Sequence, residues 1–196
     1  MKKYLKHRRL EHLFNLLMSH KKYLFLIFLV LSTFILFTDQ FKAVLIVGSF
    51  AIISSVVTMY KRIIRMPPVF EFISLTTVLV TLLYGPIVGI FYTVIVNLAS
   101  EIFSGYPDVM TLTYIPSRTI QVLFVWLFSD SMGIVALGIW SVIVFNIVQQ
   151  PVFMFLTDTE QRLKAVYFIV LNIPINILLF RLLANPLYTL LQRIVG

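Results

Sequence analysis

The chain has 196 residues, of which 60% are hydrophobic and 12% charged, and its mean hydropathy is +0.97. Soluble domains carry about 25% charged residues, so this composition excludes an ordinary water-soluble globular domain. The chain contains no cysteine, which excludes disulfides, thiolate nucleophiles and cysteine-ligated metals. Its three histidines all lie within residues 1–20, which argues against histidine chemistry inside a membrane.

A basic segment, residues 1–22, opens the chain and contributes much of the formal net charge of +8. Basic segments that precede an apolar run tend to stay in the cytoplasm, where they contact anionic lipids. We therefore predict a cytoplasmic N-terminal segment and no nucleic-acid partner. The basic residues are Lys2, Lys3, Lys6, Arg8, Arg9, Lys21 and Lys22.

The rest of the chain, residues 23–196, is predicted to form a single transmembrane helical domain. Its charge-poor stretches are long enough to be spanning helices. The first is marginal, because its helix would be only about 24 Å long at 1.5 Å per residue. The fold class predicted is all-α, a polytopic membrane helical bundle with six to seven transmembrane helices. The candidate helices are 23–38, 43–60, 69–84, 86–103, 111–128, 133–156 and 165–191.

Gly85 and Pro86 separate the third and fourth candidate helices. Glycine suits the end of one helix and proline the first turn of the next. The sequence therefore predicts that these two helices form an antiparallel pair with almost no loop.

Basic residues are distributed unevenly between the predicted loops. With seven spans and an inside N-terminus, the inner side carries the basic segment and two further basic clusters, one at Lys61, Arg62 and Arg65 and one at Arg162 and Lys164. Short loops rich in lysine and arginine tend to remain cytoplasmic. We therefore predict a multi-pass protein of the cell membrane with a cytoplasmic N-terminus.

Polar side chains within the apolar stretches are the candidate ligand-binding residues, because such groups persist at membrane depth where they meet partners, water or ligand. Asn97 and Glu101 share a helix face, and Glu101 could pair with Arg118 across the loop that follows. The candidates are Glu71, Asn97, Glu101, Arg118, Gln121, Asn146, Gln149, Gln150, Asn172, Asn176 and Arg181.

A purely structural role is the alternative for each of these residues. Asparagine and glutamine at helical spacing often bond neighbouring helices, and Glu101 with Arg118 could be an interfacial ion pair. No phosphate-binding glycine loop, paired intramembrane aspartates or Ser/His/Asp set occurs in the sequence. We expect no catalytic residue, no metal and no cofactor, and hence no enzyme.

Two stretches carry a resemblance to a known family. Residues 66–72 (MPPVFEF) lead into an apolar helix, and residues 83–89 (LYGPIVG) lead into another helix that ends at Ser104 and Gly105. Over roughly residues 43–191 the chain resembles the substrate-binding S components of energy-coupling-factor vitamin transporters. The same helical core is suggested for the rod-shape protein MreD.

The resemblance to S components implies a six-helix core that captures a vitamin or similar small organic solute and docks on an energising module with ATPase subunits. It implies ligand contacts in residues 65–72, 146–150 and 172–176. The orientation of that family would place Lys61, Arg62 and Arg65 outside, against the charge rule. The alternative function is a non-catalytic membrane scaffold or assembly protein of the MreD kind.

Overall fold

The computed structural model describes residues 38–60, 70–105 and 110–196. The basic segment 1–22, nearly all of the predicted helix 23–38 and the loop 106–109 lie outside the described residues. The chain divides into two compact units, Met1–Lys42 and Ala43–Gly196. In the first unit, the Nζ atom of Lys42 lies 3.6 Å from Oδ1 of Asp39, one turn away on the same helix.

Every element in the described part of the chain is helical, which confirms the predicted all-α class. Helix α1 ends in a 3₁₀ turn, Thr58–Tyr60, and a π-helical turn, Phe180–Ala184, joins the last two helices. The helices are α1 (Thr38–Val57), α2 (Ile73–Ser104), α3 (Met110–Phe128), α4 (Ile134–Leu156), α5 (Thr159–Leu179) and α6 (Asn185–Val195).

Four helical stretches in the described residues are long and apolar enough to cross a membrane, as expected for a membrane protein: Thr38–Tyr60, Ile73–Ser104, Ile134–Leu156 and Ala165–Val195. The predicted count of six to seven spans is not supported by this measure. The predicted helices 69–84 and 86–103 correspond to the two halves of α2, which begins at Ile73 rather than at residue 69. Helix α3 is not among the four, and it carries Arg118 and Gln121 in its middle.

Helix α2 turns back on itself at Gly85, as the Gly-Pro pair predicts. Gly85 has φ +85° and ψ 173°, a conformation open to glycine and strained for other residues. Residues before Gly85 contact residues after it. Gly89 packs against Thr81, and the hydroxyl of Tyr92 donates a 2.6 Å hydrogen bond to Oγ1 of Thr76. Residues 76 and 92 of a straight helix would be about 24 Å apart, so the two halves of α2 form an antiparallel hairpin.

The π-helical turn follows from a proline. Pro186 has no N–H to donate to the carbonyl of Leu182, so the regular hydrogen-bond ladder fails one turn before it. The backbone widens into a π turn at Phe180–Ala184, and α6 then continues to Val195. Such turns are often found at functional positions.

Exposure in this bundle is inverted relative to a soluble protein. Large apolar side chains lie on the outer surface, among them Ile102 at 79% and Phe155 at 86% exposure. Many hydroxyl and amide side chains are instead buried, including Thr77, Ser141 and Asn172. A hydrocarbon solvent favours this distribution, because apolar atoms meet lipid tails while polar groups pair inside.

Candidate functional site

Most of the predicted site residues converge on the interior of the bundle. Glu101 is half-buried at the end of α2, and Arg181 is exposed. The other nine are buried: Glu71, Asn97, Arg118, Gln121, Asn146, Gln149, Gln150, Asn172 and Asn176. Their spacing places Asn146 and Gln150, four residues apart, on one face of α4, and Asn172 and Asn176 on one face of α5.

An ion pair between Glu71 and Arg118 forms one part of this interior. Arg118 is 1% exposed and Glu71 is 2% exposed, and Nη2 of the arginine bonds Oε1 of the carboxylate. Ser74, the second residue of α2, bridges the pair: its hydroxyl accepts from Nη1 of Arg118 at 2.6 Å and donates to Oε1 of Glu71 at 3.3 Å. A charge inside a bundle is tolerated when it is paired in this way.

The ion pair extends into α4 through polar and aromatic contacts. Gln121 accepts from Nη1 of Arg118 at 2.8 Å and donates to the hydroxyl of Ser141 at 3.2 Å. The guanidinium carbon of Arg118 lies 4.0 Å from the ring centroid of Phe145, a cation–π contact. The positive charge of Arg118 is therefore balanced by a carboxylate, two polar side chains and a ring.

The predicted pair between Glu101 and Arg118 is wrong. Arg118 pairs with Glu71, 47 positions away in sequence, while Glu101 is half-buried and has its own interactions. Glu101 lies in the last turn of α2 and Arg118 in the middle of α3, so the two residues sit at different depths of the bundle. The partner is instead Glu71, which lies two residues before α2 begins.

Amide side chains of α4 and α5 form a second part of the interior, the amide layer, which consists of Asn146, Gln149, Gln150, Asn172 and Asn176. Nδ2 of Asn146 donates to the side chain of Asn172 at 3.3 Å and to the backbone carbonyl of Val142 at 2.9 Å. Nε2 of Gln150 donates to Oε1 of Gln149 at 3.0 Å. Gln149 in turn reaches the hydroxyl of Thr113 on α3, at 3.5 Å.

Three oxygens of the amide layer are buried without a hydrogen-bond partner among the described residues: Oδ1 of Asn146, Oε1 of Gln150 and Oδ1 of Asn176. The orientation of the two asparagine amides is fixed, because each Nδ2 donates to a backbone carbonyl of its own helix, Val142 or Asn172, and a carbonyl can only accept. The unpaired atoms of both asparagines are therefore acceptors.

A separate hydroxyl network joins α1 to both halves of α2. Ser54 lies 3.1 Å from the hydroxyl of Thr76 and 3.3 Å from that of Tyr92, and Thr58 contacts Ser100 further along. Asn97 lies on α2 but donates to the carbonyl of Thr93, four residues earlier in the same helix. It is the one buried asparagine of the predicted set outside the amide layer.

Several residues of the interior were not predicted. Ser74, Ser141 and Thr113 link the candidate residues, yet serine and threonine are too common in membrane helices to stand out. The spacing of Ser74, three residues after Glu71, could have indicated that both lie on one helix face. Phe145 makes the cation–π contact with Arg118, and no pattern in the sequence distinguishes it from the other phenylalanines.

The chemistry available to this interior is polar recognition. Within the described residues, no group of three or more histidine, aspartate or glutamate side chains could hold a metal ion. Uncharged amides and a neutralised ion pair can form hydrogen bonds with another polar group.

Comparisons with known proteins add no identification. No family model, no curated protein and no solved structure matches the chain.

Proposed function

We propose that the chain is a multi-pass protein of the cell membrane that binds a small organic solute against the amide layer, in the manner of the S components of energy-coupling-factor transporters. The observation that supports this proposal is the set of buried, unpaired oxygens on Asn146, Gln150 and Asn176. A buried acceptor without a donor costs about 1–3 kcal/mol. A ligand that donates hydrogen bonds offsets that cost.

The unpaired atoms define the class of solute. The asparagine amides expose oxygens, so a matching solute carries N–H or O–H groups. The charge of Arg118 is already balanced by Glu71 and by the ring of Phe145. No buried cation in the described residues calls for an anionic solute, and a neutral, donor-rich molecule such as a vitamin with amino or hydroxyl groups is the proposed ligand.

The same proposal gives the arrangement in the membrane. The core has six helical segments, α1, the two halves of α2, α3, α4 and α5, and the sequence predicts a seventh span over 23–38. The first half of α2, residues 73–84, rises only about 18 Å and enters the core at the depth of Arg118. The N-terminus is cytoplasmic, because the basic residues that follow α1 and those in the first two turns of α5 favour that side. An energising module with ATPase subunits is the proposed partner in transport.

Ligand binding to the purified protein tests the function. A panel of vitamins is titrated in detergent while tyrosine and tryptophan fluorescence is recorded, and one donor-rich member is expected to quench it saturably. Asn146→Leu and Asn176→Leu should abolish the response. Asn97→Leu is the matched control, because that asparagine is equally buried but bonds only its own helix; it should bind normally. Absence of saturable quenching across the panel would count against the proposal.

A scaffold or assembly protein of the MreD kind is the second candidate. It is favoured by the hydrogen bonds that other interior side chains make with one another, as in the network of Glu71, Ser74, Arg118 and Gln121. Co-purification from native membranes separates the two functions. ATPase subunits are expected with a transporter component, and morphogenesis proteins are expected with a scaffold.

A further inference from the structure

A groove of about 410 Å³ opens on the outer surface where α4 begins and the π turn ends. It is lined mainly by apolar residues from the first turns of α4, including Ile134, Val135 and Ile139. Its polar residues are Arg181 and Asn185, which are both exposed. None of these residues belongs to the amide layer or to the ion pair of Glu71 and Arg118.

Arg181 lies beside the end of a neighbouring helix, which explains how an arginine can occur within the apolar stretch 165–191. It shares the groove with Gly133 and Ile134, the residues at which α4 begins. Both tryptophans of the chain are exposed near the same end, Trp126 in the last turn of α3 and Trp140 in the second turn of α4. Tryptophan is enriched at the membrane–water interface, which favours headgroup depth for Arg181.

The charge of Arg181 has no partner in the described part of the chain: it makes no ion pair and no hydrogen bond with any described residue. This distinguishes it from Arg118, whose charge is balanced inside the bundle. The groove therefore combines an apolar wall with a single uncompensated cation at its edge. An amphipathic anion is complementary to both features.

We propose that this groove binds the headgroup of an anionic phospholipid, with its phosphodiester on the guanidinium of Arg181 and the upper part of its acyl chains along Ile134 and Ile139. The planar guanidinium can donate two parallel hydrogen bonds to a phosphate. Asn185 adds an amide donor for the headgroup. This inference depends on the placement of the chain in a membrane and is independent of the proposed solute.

The first turn of α4 adds to the attraction. Gly133 precedes the helix with no side-chain cap, and the first helical hydrogen bond runs from the N–H of Leu137 to the carbonyl of Gly133. The N–H groups of Ile134, Val135 and Ala136 therefore have no acceptor within the helix. The three residues that carry these N–H groups line the groove, and unpaired N–H groups at a helix start favour a negative charge nearby.

Lipid binding to the full chain tests this site. Native mass spectrometry of the protein in detergent compares retention of phosphatidylglycerol with that of phosphatidylcholine carrying the same acyl chains, with inorganic phosphate as a third probe. We expect preferential retention of phosphatidylglycerol. Arg181→Gln should lower that retention about fivefold, as expected for loss of one cation at a lipid surface, and Arg181→Lys should lower it less.

Two further variants distinguish lipid binding in the groove from nonspecific attraction of anionic lipid to any exposed arginine. Arg193→Gln removes another exposed arginine, outside the groove, and should leave retention unchanged. Ala136→Phe fills the groove while keeping the charge and should lower retention. Equal retention of both lipids, equal losses in Arg181→Gln and Arg193→Gln, or protection of the site by inorganic phosphate as effectively as by lipid would each overturn the proposal. The fluorescence response to a vitamin should be unaffected in Arg181→Gln, so failure here is distinct from failure of the solute site.

Discussion

Arg118 is the largest fully buried side chain in the described part of the protein. Its charge depends on Glu71 and on the two hydrogen bonds that Nη1 donates to Ser74 and Gln121. Removing one member of a buried ion pair leaves the other charged and unpaired, which costs about 3–5 kcal/mol, whereas removing both can be far less harmful. The two residues should therefore be strongly coupled.

A double-mutant cycle measures that coupling. Glu71→Gln and Arg118→Gln are each expected to lower the free energy of unfolding in detergent by about 3–5 kcal/mol. The double variant should lose clearly less than the two single variants together. Arg193→Gln, an exposed arginine, is the control and should change stability by less than about 0.5 kcal/mol. Additive losses would show that the pair is not coupled.

The sequence predicts which polar residues are buried around Arg118, but it does not predict which of them pairs with the arginine. Arg118, Glu71 and Gln121 were all predicted as interior polar residues, because a charge within an apolar stretch needs a partner. The pairing itself was predicted with Glu101, across the loop between α2 and α3. The actual partner enters the core through the hairpin of α2, a tertiary arrangement that spacing along the chain does not encode.

Close helix contacts in this bundle rely on two glycines. Gly89 allows the second half of α2 to pack against Thr81 of the first half and Val122 of α3. Gly138 of α4 lies against the ring of Phe180, the first residue of the π turn. Small residues of this kind let helices approach closely inside a membrane. Phe180 therefore fixes the π turn, and with it Arg181, relative to α4.

Gly138→Ala tests this packing. The added methyl would overlap the ring of Phe180, so we expect a loss of about 1–3 kcal/mol in unfolding free energy from overpacking. Gly48→Ala is the matched control, because nothing lies within 4 Å of the added atom and the position is in helix α1. There the change should be neutral or stabilising by up to about 1 kcal/mol. A thermal melt in detergent compares the variants, and equal effects would contradict the packing role of Gly138.

Local signals predicted the elements better than they predicted their lengths. The Gly85–Pro86 turn was predicted because both residues act on the backbone within a few positions. The π turn was not, since its position depends on Pro186 and on packing of Phe180 against Gly138. Hydropathy along 165–191 likewise gives no depth for Arg181 within that stretch. The amide layer was predicted as a set of positions, whereas its hydrogen bonds depend on how α4 and α5 face one another.

The side of the membrane that each end of α4 faces can be tested. The turn between α3 and α4, residues 129–133, and the turn between α4 and α5, residues 157–158, bound α4 at its opposite ends. The basic residues Arg162 and Lys164 follow the second turn, and Asp130 is the charged residue of the first. The charge rule therefore predicts that the second turn is cytoplasmic. The orientation of the S-component family would reverse both turns.

Single cysteines can decide between these orientations, because the native chain has none and gives no background labelling. Ser131→Cys and Asp158→Cys place one exposed thiol in each turn. With the charge rule, a membrane-impermeant maleimide added to intact cells should label the cysteine at 131, and the cysteine at 158 should react only after permeabilisation. Ser141→Cys, buried beside Gln121, should stay unlabelled until the protein is denatured. The reverse accessibility would favour the family orientation, and labelling of both turns in intact cells would contradict a membrane-spanning α4.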